Sequence, residues 1–514
     1  MFVLRLHTLL AVCVVLCTGL YPLAGTASAS VLVSTRDGDL LGSLDGGVAS
    51  FRGIPYAQPP LGELRWAPPR EAEAWRGTRD ALEFSAECVQ TPYMEGSPYH
   101  RELGAVSEDC LYLNVWTPHL EAQQPLPVMV WIHGGSFTRG SGSIPTYDGV
   151  SLARGGVVLV TINYRLSIFG YLAHPELTTA QGGRSGNYGL LDQIAALKWV
   201  QRNIARFGGD PNRVTVFGES AGSSAVNQLL VSPTAAGLFH RVIGQSGGFL
   251  VPQPLLEEGE SDGLRIQALA GAEDLAALRS LSSGELMALF ERGEQEGLRI
   301  QPLVDGVLIP DQALALMQNG EYNRVPSLVG YNRDESTAFV QFASVPFLYS
   351  NQRAFERGLR DLMGLAAYPF IWAYPEEEGS QQSYLDFWRD LVFGWNMQTW
   401  ARLNEEMGQP SWLYFFTHVP GNEAGAALGA FHAAEIPYVF GNRVPATPAD
   451  QRVHQLAQDY WLNFAKTGNP NGDGLPDWPR FGNDAGYLEL QQVPVASDSL
   501  NWIRMALWTL ALDR

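Results

Sequence analysis

The stretch VTVFGESAG, Val214–Gly222, decides the fold. Its first half is an apolar, β-branched run, which is typical of a buried strand, and the residues after it can form a helix. Glycines on both sides of Ser220 permit a sharp, strained turn between the two elements without side-chain clashes. Such a turn exposes the serine hydroxyl near the first amides of a helix, which favour negative charge. Ser220 is therefore a candidate nucleophile, and a serine that merely caps a helix is the alternative.

Similar apolar runs recur along the chain and predict further strands. They cover residues 111–116, 128–132, 157–162, 241–244, 327–330 and 412–416. Residues 31–49 alternate and are rich in Gly and Asp, which predicts small antiparallel strands. Helical patterns lie between the strands, at residues 190–207, 345–405 and 453–461. This alternation predicts an α/β fold with a mostly parallel central sheet, and we expect the aromatic-rich helices of 345–405 to form a cap over its carboxyl edge.

A glycine-rich loop, HGGSF at residues 133–137, directly follows the run at 128–132. An acyl-transfer serine needs amide donors for the oxygen that becomes negative in its intermediate. Glycines let the backbone approach that oxygen, as in the loops that supply such donors in enzymes with this serine turn. We expect the amides of Gly135, Ser136 and Ala221 to converge on it. A glycine-rich turn without a ligand is the alternative.

The acid of a catalytic triad with this turn follows the nucleophile and precedes the histidine. Asp334 and Glu335 both follow the run at 327–330, and position alone leaves the choice between them open. Asp305 is a weaker rival, in a sequence more typical of a turn residue.

Three histidines follow these acids in the chain. His454 lies in a helical pattern and is expected to be structural, whereas His418 and His432 both follow the run at 412–416. The small neighbours of His432 leave room for an imidazole that faces a pocket, which favours it, but position alone leaves both open.

The amino-terminal residues 1–29 have the pattern of a signal peptide. Arg5 precedes an apolar run at 9–20, and small residues ending at Ala29 follow. The run is short for a membrane span, so we expect cleavage after Ala29 rather than an uncleaved anchor. The sequence then predicts a secreted or periplasmic protein without stable membrane insertion, in which 30–514 form a single catalytic domain.

Composition narrows the class of partner. The chain has 514 residues, 46% of them hydrophobic, which is enough for a large core. It carries 34 Lys and Arg against 53 Asp and Glu, and its net charge is -19. An acidic surface repels phosphate backbones, so we expect no nucleic-acid partner.

The sequence resembles the type-B carboxylesterase/cholinesterase family of α/β-hydrolases. Residues 207–222 are similar to the family's serine motif, and residues 108–118 are similar to its second motif. Further similar stretches are residues 51–56, 163–166 and 461–471. The resemblance covers nearly all of the chain after the predicted signal peptide.

The resemblance implies an α/β-hydrolase fold with helical cap insertions and the hydrolysis of small carboxylic esters. It implies a triad of Ser220, Glu335 and His432 and no metal or cofactor. Ser336 departs from the glycine that the family often has, but it leaves Glu335 in place. Choline-specific relatives have a tryptophan just before the second motif, and residues 97–107 contain none, so we do not expect choline specificity.

The resemblance also implies a disulfide between Cys88 and Cys110. These are the cysteines that remain after the predicted signal peptide, and an exported chain is expected to bond them. Two structural ion pairs are implied as well, Arg65 with Glu108 and Arg165 with Asp192.

Three alternatives remain at this point. Some members of the family are adhesion proteins without a working triad, and the same triad also serves amidases and lactonases. The aromatic side chains that are candidates for an apolar pocket, although core positions are favoured for most of them, are Phe137, Phe393, Trp395 and Trp400.

Overall fold

The computed structural model describes residues 29–339, 351–375 and 381–512. Nearly all of the predicted signal peptide lies outside these residues, as does part of the predicted helical region 345–405. No helix in the described ranges is long and apolar enough to cross a bilayer.

The central strands follow the apolar runs of the sequence, and shorter strands accompany them. They are β1 Ala29–Ser34, β2 Asp39–Asp45, β3 Val48–Pro55, β4 Thr78–Asp80, β5 Glu87–Cys88, β6 Val106–Ser107, β7 Tyr112–Thr117, β8 Leu126–Ile132, β9 Val158–Ile162, β10 Gly209–Glu219, β11 Arg241–Gln245, β12 Ser327–Asn332, β13 Ser411–Phe416, β14 Tyr487–Leu490 and β15 Val495–Ser497.

The helices lie between the strands. They are α1 Val150–Arg154, α2 Ser167–Tyr171, α3 Pro175–Ala180, α4 Tyr188–Asn203, α5 Ala221–Val231, α6 Leu256–Ala270, α7 Leu275–Arg279, α8 Ser283–Gln295, α9 Ala313–Gln318, α10 Gln352–Met363, α11 Ala367–Ala373, α12 Gln382–Arg389, α13 Trp395–Glu406, α14 Glu423–Leu428, α15 Ile436–Phe440, α16 Pro448–Thr467 and α17 Trp502–Leu512.

One large sheet has the strand order β1-β2-β3-β7-β9-β8-β10-β11-β12-β13-β14-β15, with β4 beside β2. Neighbours from β9 to β14 along this order are parallel, and antiparallel strands flank them on both sides. The predicted α/β fold with a mostly parallel central sheet is therefore confirmed. Parallel strands place their carboxyl ends at one edge, so the loops that follow β8, β10, β12 and β13 meet there.

The central strands are apolar on both faces because helices cover both faces. In β8, Val130 and Ile132 belong to one hydrophobic core, and Met129 and Trp131 belong to the other. Successive side chains of a strand point to opposite faces, so a continuous apolar run fills two cores at once.

The strand before Ser220 is longer than predicted. The apolar run begins at Val214, but β10 begins at Gly209, with a register shift against β8 between these two residues. Polar residues occupy this irregular segment, so hydrophobic patterning does not mark it as strand. The predicted helix at 190–207 likewise ends early, because α4 stops at Asn203 and a single turn of tighter helix continues to Phe207.

The predicted covalent and ionic links are present. A disulfide joins Cys88 to Cys110, whose Cα atoms are 5.0 Å apart. The Arg65 guanidinium lies 2.5 Å from the Glu108 carboxylate and also donates to two backbone oxygens, so it ties separate loops together. Arg165 and Asp192 form a buried pair at 2.7 Å.

Replacing both Cys88 and Cys110 with serine is expected to lower the free energy of unfolding by about 3 kcal/mol, because the bridge restricts the unfolded chain. The bridge closes a sequence separation of 22 residues. Denaturant unfolding of the oxidised wild type, the reduced wild type and the double variant measures the loss. An unchanged midpoint in both the reduced protein and the variant would contradict a stabilising bridge.

Candidate active site

Ser220 lies on a strained turn between β10 and α5, with φ 56 and ψ -123. A Cβ on Gly218 would lie 2.6 Å from the backbone of Gly222, and a Cβ on Gly222 would overlap the carbonyl oxygen of Ile132. Both glycines are therefore required by close backbone contact. The amide of Ser220 donates to the carbonyl oxygen of Gln245 at 2.8 Å, which ties the turn to the end of β11.

The loop after β8 packs directly against this turn. A Cβ on Gly134 would lie 3.1 Å from the Cβ of Ser220 and 2.8 Å from Oε2 of Glu219. The ring of His133 stacks on Tyr164 with centroids 4.4 Å apart, and burial lowers the pKa of His133 to about 4. His133 is therefore neutral at neutral pH and anchors the base of the loop.

The backbone of the same loop leaves two amides free. Gly135 and Ser136 have φ 110 and φ 55, and no hydrogen bond within the described parts of the chain uses either amide or that of Ala221. The carbonyl oxygen of Gly135 instead accepts from the amides of Thr138 and Arg139, both at 2.9 Å. The loop thus turns back on itself and leaves amide donors beside Ser220 available to a ligand.

The two candidate acids point in different directions. Glu335 is fully buried, and its Oε2 lies 2.6 Å from Nδ1 of His432. Its Oε1 accepts from the amide of Asn332 at 2.8 Å. The Asp334 carboxylate instead accepts from the amide of Ala430 at 2.7 Å. It therefore joins the loop after β12 to the loop that contains His432, and it does not contact the imidazole.

The other candidates lie in separate environments. His418 contacts Asp450 at 2.8 Å, and Nδ1 of His454 lies 2.8 Å from the carbonyl oxygen of Tyr438. Asp305 accepts from three successive amides, as expected for a turn residue. None of the three is part of the Ser220 environment.

Two phenylalanines pack against the His432 imidazole, with centroids 4.9 Å away for both Phe339 and Phe393. The hydroxyl of Tyr99 donates to the carbonyl oxygen of His432 at 2.9 Å. Phe393 is buried behind the imidazole, and Phe137, Trp395 and Trp400 are buried too, so these aromatics are core residues, as the sequence favours.

Glu219 is a site residue that sequence reasoning missed. Its Oε1 lies 3.0 Å from Nε2 of His432, and no hydrogen bond joins Ser220 Oγ to His432 in the described structure. Burial raises the pKa of Glu219 to about 8, although His432 partly lowers it. The available signal was a carboxylate at the end of a mostly apolar run, which is costly to bury unless it has a partner.

The charge of His432 depends on the carboxylates around it. Burial lowers the pKa of His432, but Glu219, Glu335 and Glu435 outweigh this effect and raise the pKa to about 9. The imidazole therefore holds its second proton more firmly than an ordinary histidine.

Glu435, also missed, sits beneath the imidazole in a buried polar network. Its carboxylate accepts from Gln245 at 2.9 Å and from Asn332 at 2.6 Å. Burial raises the pKa of Glu435. The network links β11, β12 and the loop that contains His432. Gln245 is its hub, because its carbonyl oxygen also accepts from the amide of Ser220.

A cavity of about 300 Å³ opens onto these groups. Ser220, His432, Gly135 and Ser136 all line it. No cluster of three His, Cys, Asp or Glu side chains suited to a metal ion occurs in residues 29–339, 351–375 and 381–512. The volume is at the lower end of the range for small-molecule sites.

Comparisons with known proteins identify the family of the chain. The sequence model described as "Carboxylesterase family" matches residues 29–508. The chain is 38% identical to the fumonisin B1 esterase of Sphingopyxis macrogoltabida, over 90% of this chain and 86% of that protein. It is 35% identical to human cocaine esterase, over 99% of this chain and 97% of that protein.

Solved structures give the same result. The carboxylesterase EST55 of Geobacillus stearothermophilus superimposes with a TM-score of 0.82 and 34% identity, covering 93% of this chain and 99% of that one. The fold described above is therefore shared by α/β-hydrolase carboxylesterases along nearly the whole described chain.

Proposed function

Since the chain belongs to the carboxylesterase family and is a carboxylic ester hydrolase, we propose that it cleaves small-molecule esters through an acyl-enzyme on Ser220. The observation that carries this proposal is the short contact of Glu335 with His432, which lines the same cavity as Ser220. These three side chains come from three different loops at one edge of the sheet. A nucleophile, a base and an acid that lie side by side are typical of enzymes that transfer acyl groups through a serine.

Acylation proceeds by attack of Ser220 Oγ on the ester carbonyl carbon. His432 Nε2 accepts the hydroxyl proton as the new carbon–oxygen bond forms, and Glu335 stabilises the resulting imidazolium. The amides of Gly135, Ser136 and Ala221 donate to the oxyanion. His432 then protonates the leaving alkoxide oxygen as its bond to the carbonyl carbon breaks.

Deacylation repeats these steps with water as the nucleophile. His432 takes a proton from the water, the hydroxyl oxygen attacks the acyl carbon, and the proton returns to Ser220 Oγ as the carboxylic acid leaves. In the structure Nε2 of His432 faces Glu219, at 3.0 Å from its Oε1. A small rotation of the imidazole towards Ser220 accompanies substrate binding, in line with catalytic hydrogen bonds that tighten only in the complex.

A direct test is covalent labelling. A fluorophosphonate is expected to inactivate the enzyme with one label per chain, located on the peptide that contains Ser220. Turnover of a neutral ester measured in parallel should fall in proportion to labelling. A label on another residue with full loss of turnover would refute the assignment of Ser220.

The proposal includes export. The Cys88–Cys110 bridge supports an oxidising compartment, since disulfides persist there. Cleavage after Ala29 would leave residues 30–514 as the mature, single-domain enzyme. The amino-terminal sequence of the protein recovered outside the cytoplasm tests this, with Ser30 as the expected first residue and Met1 as the contrary result.

Replacing Glu219 with glutamine is expected to shift the pH dependence of kcat/KM to lower pH. His432 must be unprotonated to act as a base, so kcat/KM rises as pH increases through its pKa. Glu219 is the foremost of the carboxylates that raise that pKa, and its loss lowers it. A pH profile of wild type and E219Q with a neutral ester measures the shift.

Glu423→Gln is the matched control, because Glu423 begins α14 and does not line the cavity. Its profile is expected to match the wild type. A Glu219→Gln profile that also matches the wild type would contradict the electrostatic role of Glu219.

A further inference from the structure

Arginines outnumber carboxylates in the wall of the cavity beside Ser220, although the protein as a whole is acidic. Three arginines line it, Arg101, Arg139 and Arg443, whereas Glu219 is the one carboxylate among the described residues of its wall. The net charge of the chain is -19. The wall of the cavity therefore differs in sign from the average of the molecule.

The three arginines are not equivalent. Arg101 is neutralised by Glu87, since two of its nitrogens lie 2.5 and 2.7 Å from the carboxylate oxygens. Arg139 and Arg443 have no carboxylate within 4.0 Å in the ranges that the structure describes. Burial raises the pKa of Glu294, and the charge of Arg139 partly lowers it, although the two side chains do not form an ion pair. Arg139 and Arg443 are thus the arginines of the cavity wall that lack an ion-pair partner among the described residues.

Arg139 is held in place before any ligand arrives. Its Nε donates to the carbonyl oxygen of Thr91 at 3.1 Å, and its two Nη atoms donate to Oγ1 of Thr138 at 3.0 Å and of Thr91 at 3.4 Å. The guanidinium also lies 5.2 Å from the centroid of the Tyr93 ring. A guanidinium has five N–H donors, of which these bonds use three, so two remain. A fixed, incompletely satisfied guanidinium is suited to an anion.

The position of Arg139 is coupled to the amide donors beside Ser220. Its backbone amide donates to the carbonyl oxygen of Gly135 at 2.9 Å, within the same loop. A ligand whose carbonyl group lies at Gly135 and Ser136 therefore has Arg139 in the wall of the same cavity, whose volume is about 300 Å³. An anionic group elsewhere on that ligand would share the cavity with Arg139.

We propose that the preferred substrates are esters that carry a free carboxylate, and that Arg139, assisted by Arg443, binds this carboxylate. The inference rests on the proposed role of Ser220 and adds the chemical class of the substrate. Guanidinium–carboxylate hydrogen bonds are charge-assisted and stronger than neutral ones. Glu219, the carboxylate of the same wall, lies 3.0 Å from Nε2 of His432, so its nearest charged partner is the imidazole.

Two matched pairs of esters test the proposal and separate the two places where the carboxylate can sit. On the acyl side, para-nitrophenyl hydrogen glutarate is compared with its methyl ester. On the alcohol side, para-acetoxybenzoate is compared with methyl para-acetoxybenzoate. The readout is the ratio of kcat/KM for the anionic ester to kcat/KM for its neutral partner, which cancels general effects on catalysis.

Arg139→Gln is expected to lower this ratio by about tenfold in at least one pair, mainly through a higher KM for the anionic ester. R443Q is expected to lower it in the same pair by a smaller factor, because Arg443 is exposed to solvent. Arg452→Gln is the control, since Arg452 is an exposed arginine of α16 outside the cavity, and its ratio should equal the wild-type ratio.

Ratios that stay unchanged for both R139Q and R443Q in both pairs would overturn the proposal. If R139Q does not fold, the ratio for R443Q alone decides, because an exposed side chain can be replaced without unfolding the protein. Failure of the Ser220 mechanism gives a different result, in which Ser220→Ala still hydrolyses the neutral esters.

Discussion

Ser220→Ala is expected to lower kcat for ester hydrolysis by about 10⁶-fold and to leave the protein folded. Without Oγ no acyl-enzyme forms. The imidazole then has no serine hydroxyl to deprotonate, and the amides have no oxyanion of an acyl-enzyme to stabilise. Alanine keeps the Cβ of serine, so the strained φ of 56 at this position is no harder to adopt. The amide of residue 220 still donates to Gln245.

Burst kinetics with para-nitrophenyl acetate, together with circular dichroism, check this expectation. Ser261→Ala serves as the control, because Ser261 is an exposed serine of α6 outside the cavity. It should retain the wild-type burst. Near-normal turnover in S220A, with S261A unchanged, would exclude Ser220 as the nucleophile.

Glu335→Gln is expected to lower kcat by about 10⁴-fold at neutral pH, as the loss of the carboxylate does in other serine triads. The amide keeps the shape of the side chain but cannot stabilise the imidazolium. It also presents either an N–H or a neutral oxygen to Nδ1, which now has a carboxylate oxygen 2.6 Å away. Glu335 is fully buried, so water does not replace the lost charge.

Asp334→Asn is the matched comparison at the neighbouring position. Its remaining amide oxygen can still accept from the amide of Ala430, and the side chain does not contact His432. We expect kcat to fall less than about tenfold, with the main effect on stability. A larger loss of kcat for D334N than for E335Q would assign the acid to Asp334.

The sequence predicted the elements of the site that are local. Ser220 and the loop at 133–137 are recognised from a few consecutive residues, because strand, glycine and turn chemistry act over short distances. Position alone did not decide between Asp334 and Glu335. Both follow β12, and their different directions arise from the pairing of Asp334 with the histidine loop, which is a long-range contact.

Glu219 and Arg139 show why the rest was not predicted. Glu219 lies inside the serine motif and Arg139 lies two residues beyond the loop at 133–137, and the contacts of each depend on what lies opposite in space. Glu219 contacts His432, and Arg139 contacts Thr91 and Tyr93, which lie about 50 residues earlier in the chain. Hydrophobic periodicity carries no information on such pairs.

Gln245, the hub beneath the imidazole, has a consequence for the synthesis of this protein. It fixes Ser220 through its backbone, and its side chain reaches Glu435, which is 190 residues further along the chain. Almost the entire polypeptide must therefore leave the ribosome before these contacts can form. Contacts between residues that are far apart in the sequence form slowly. A nascent or truncated chain carries the serine motif without a competent centre, so we expect the esters of the producing cell to meet this hydrolase only after its synthesis is complete.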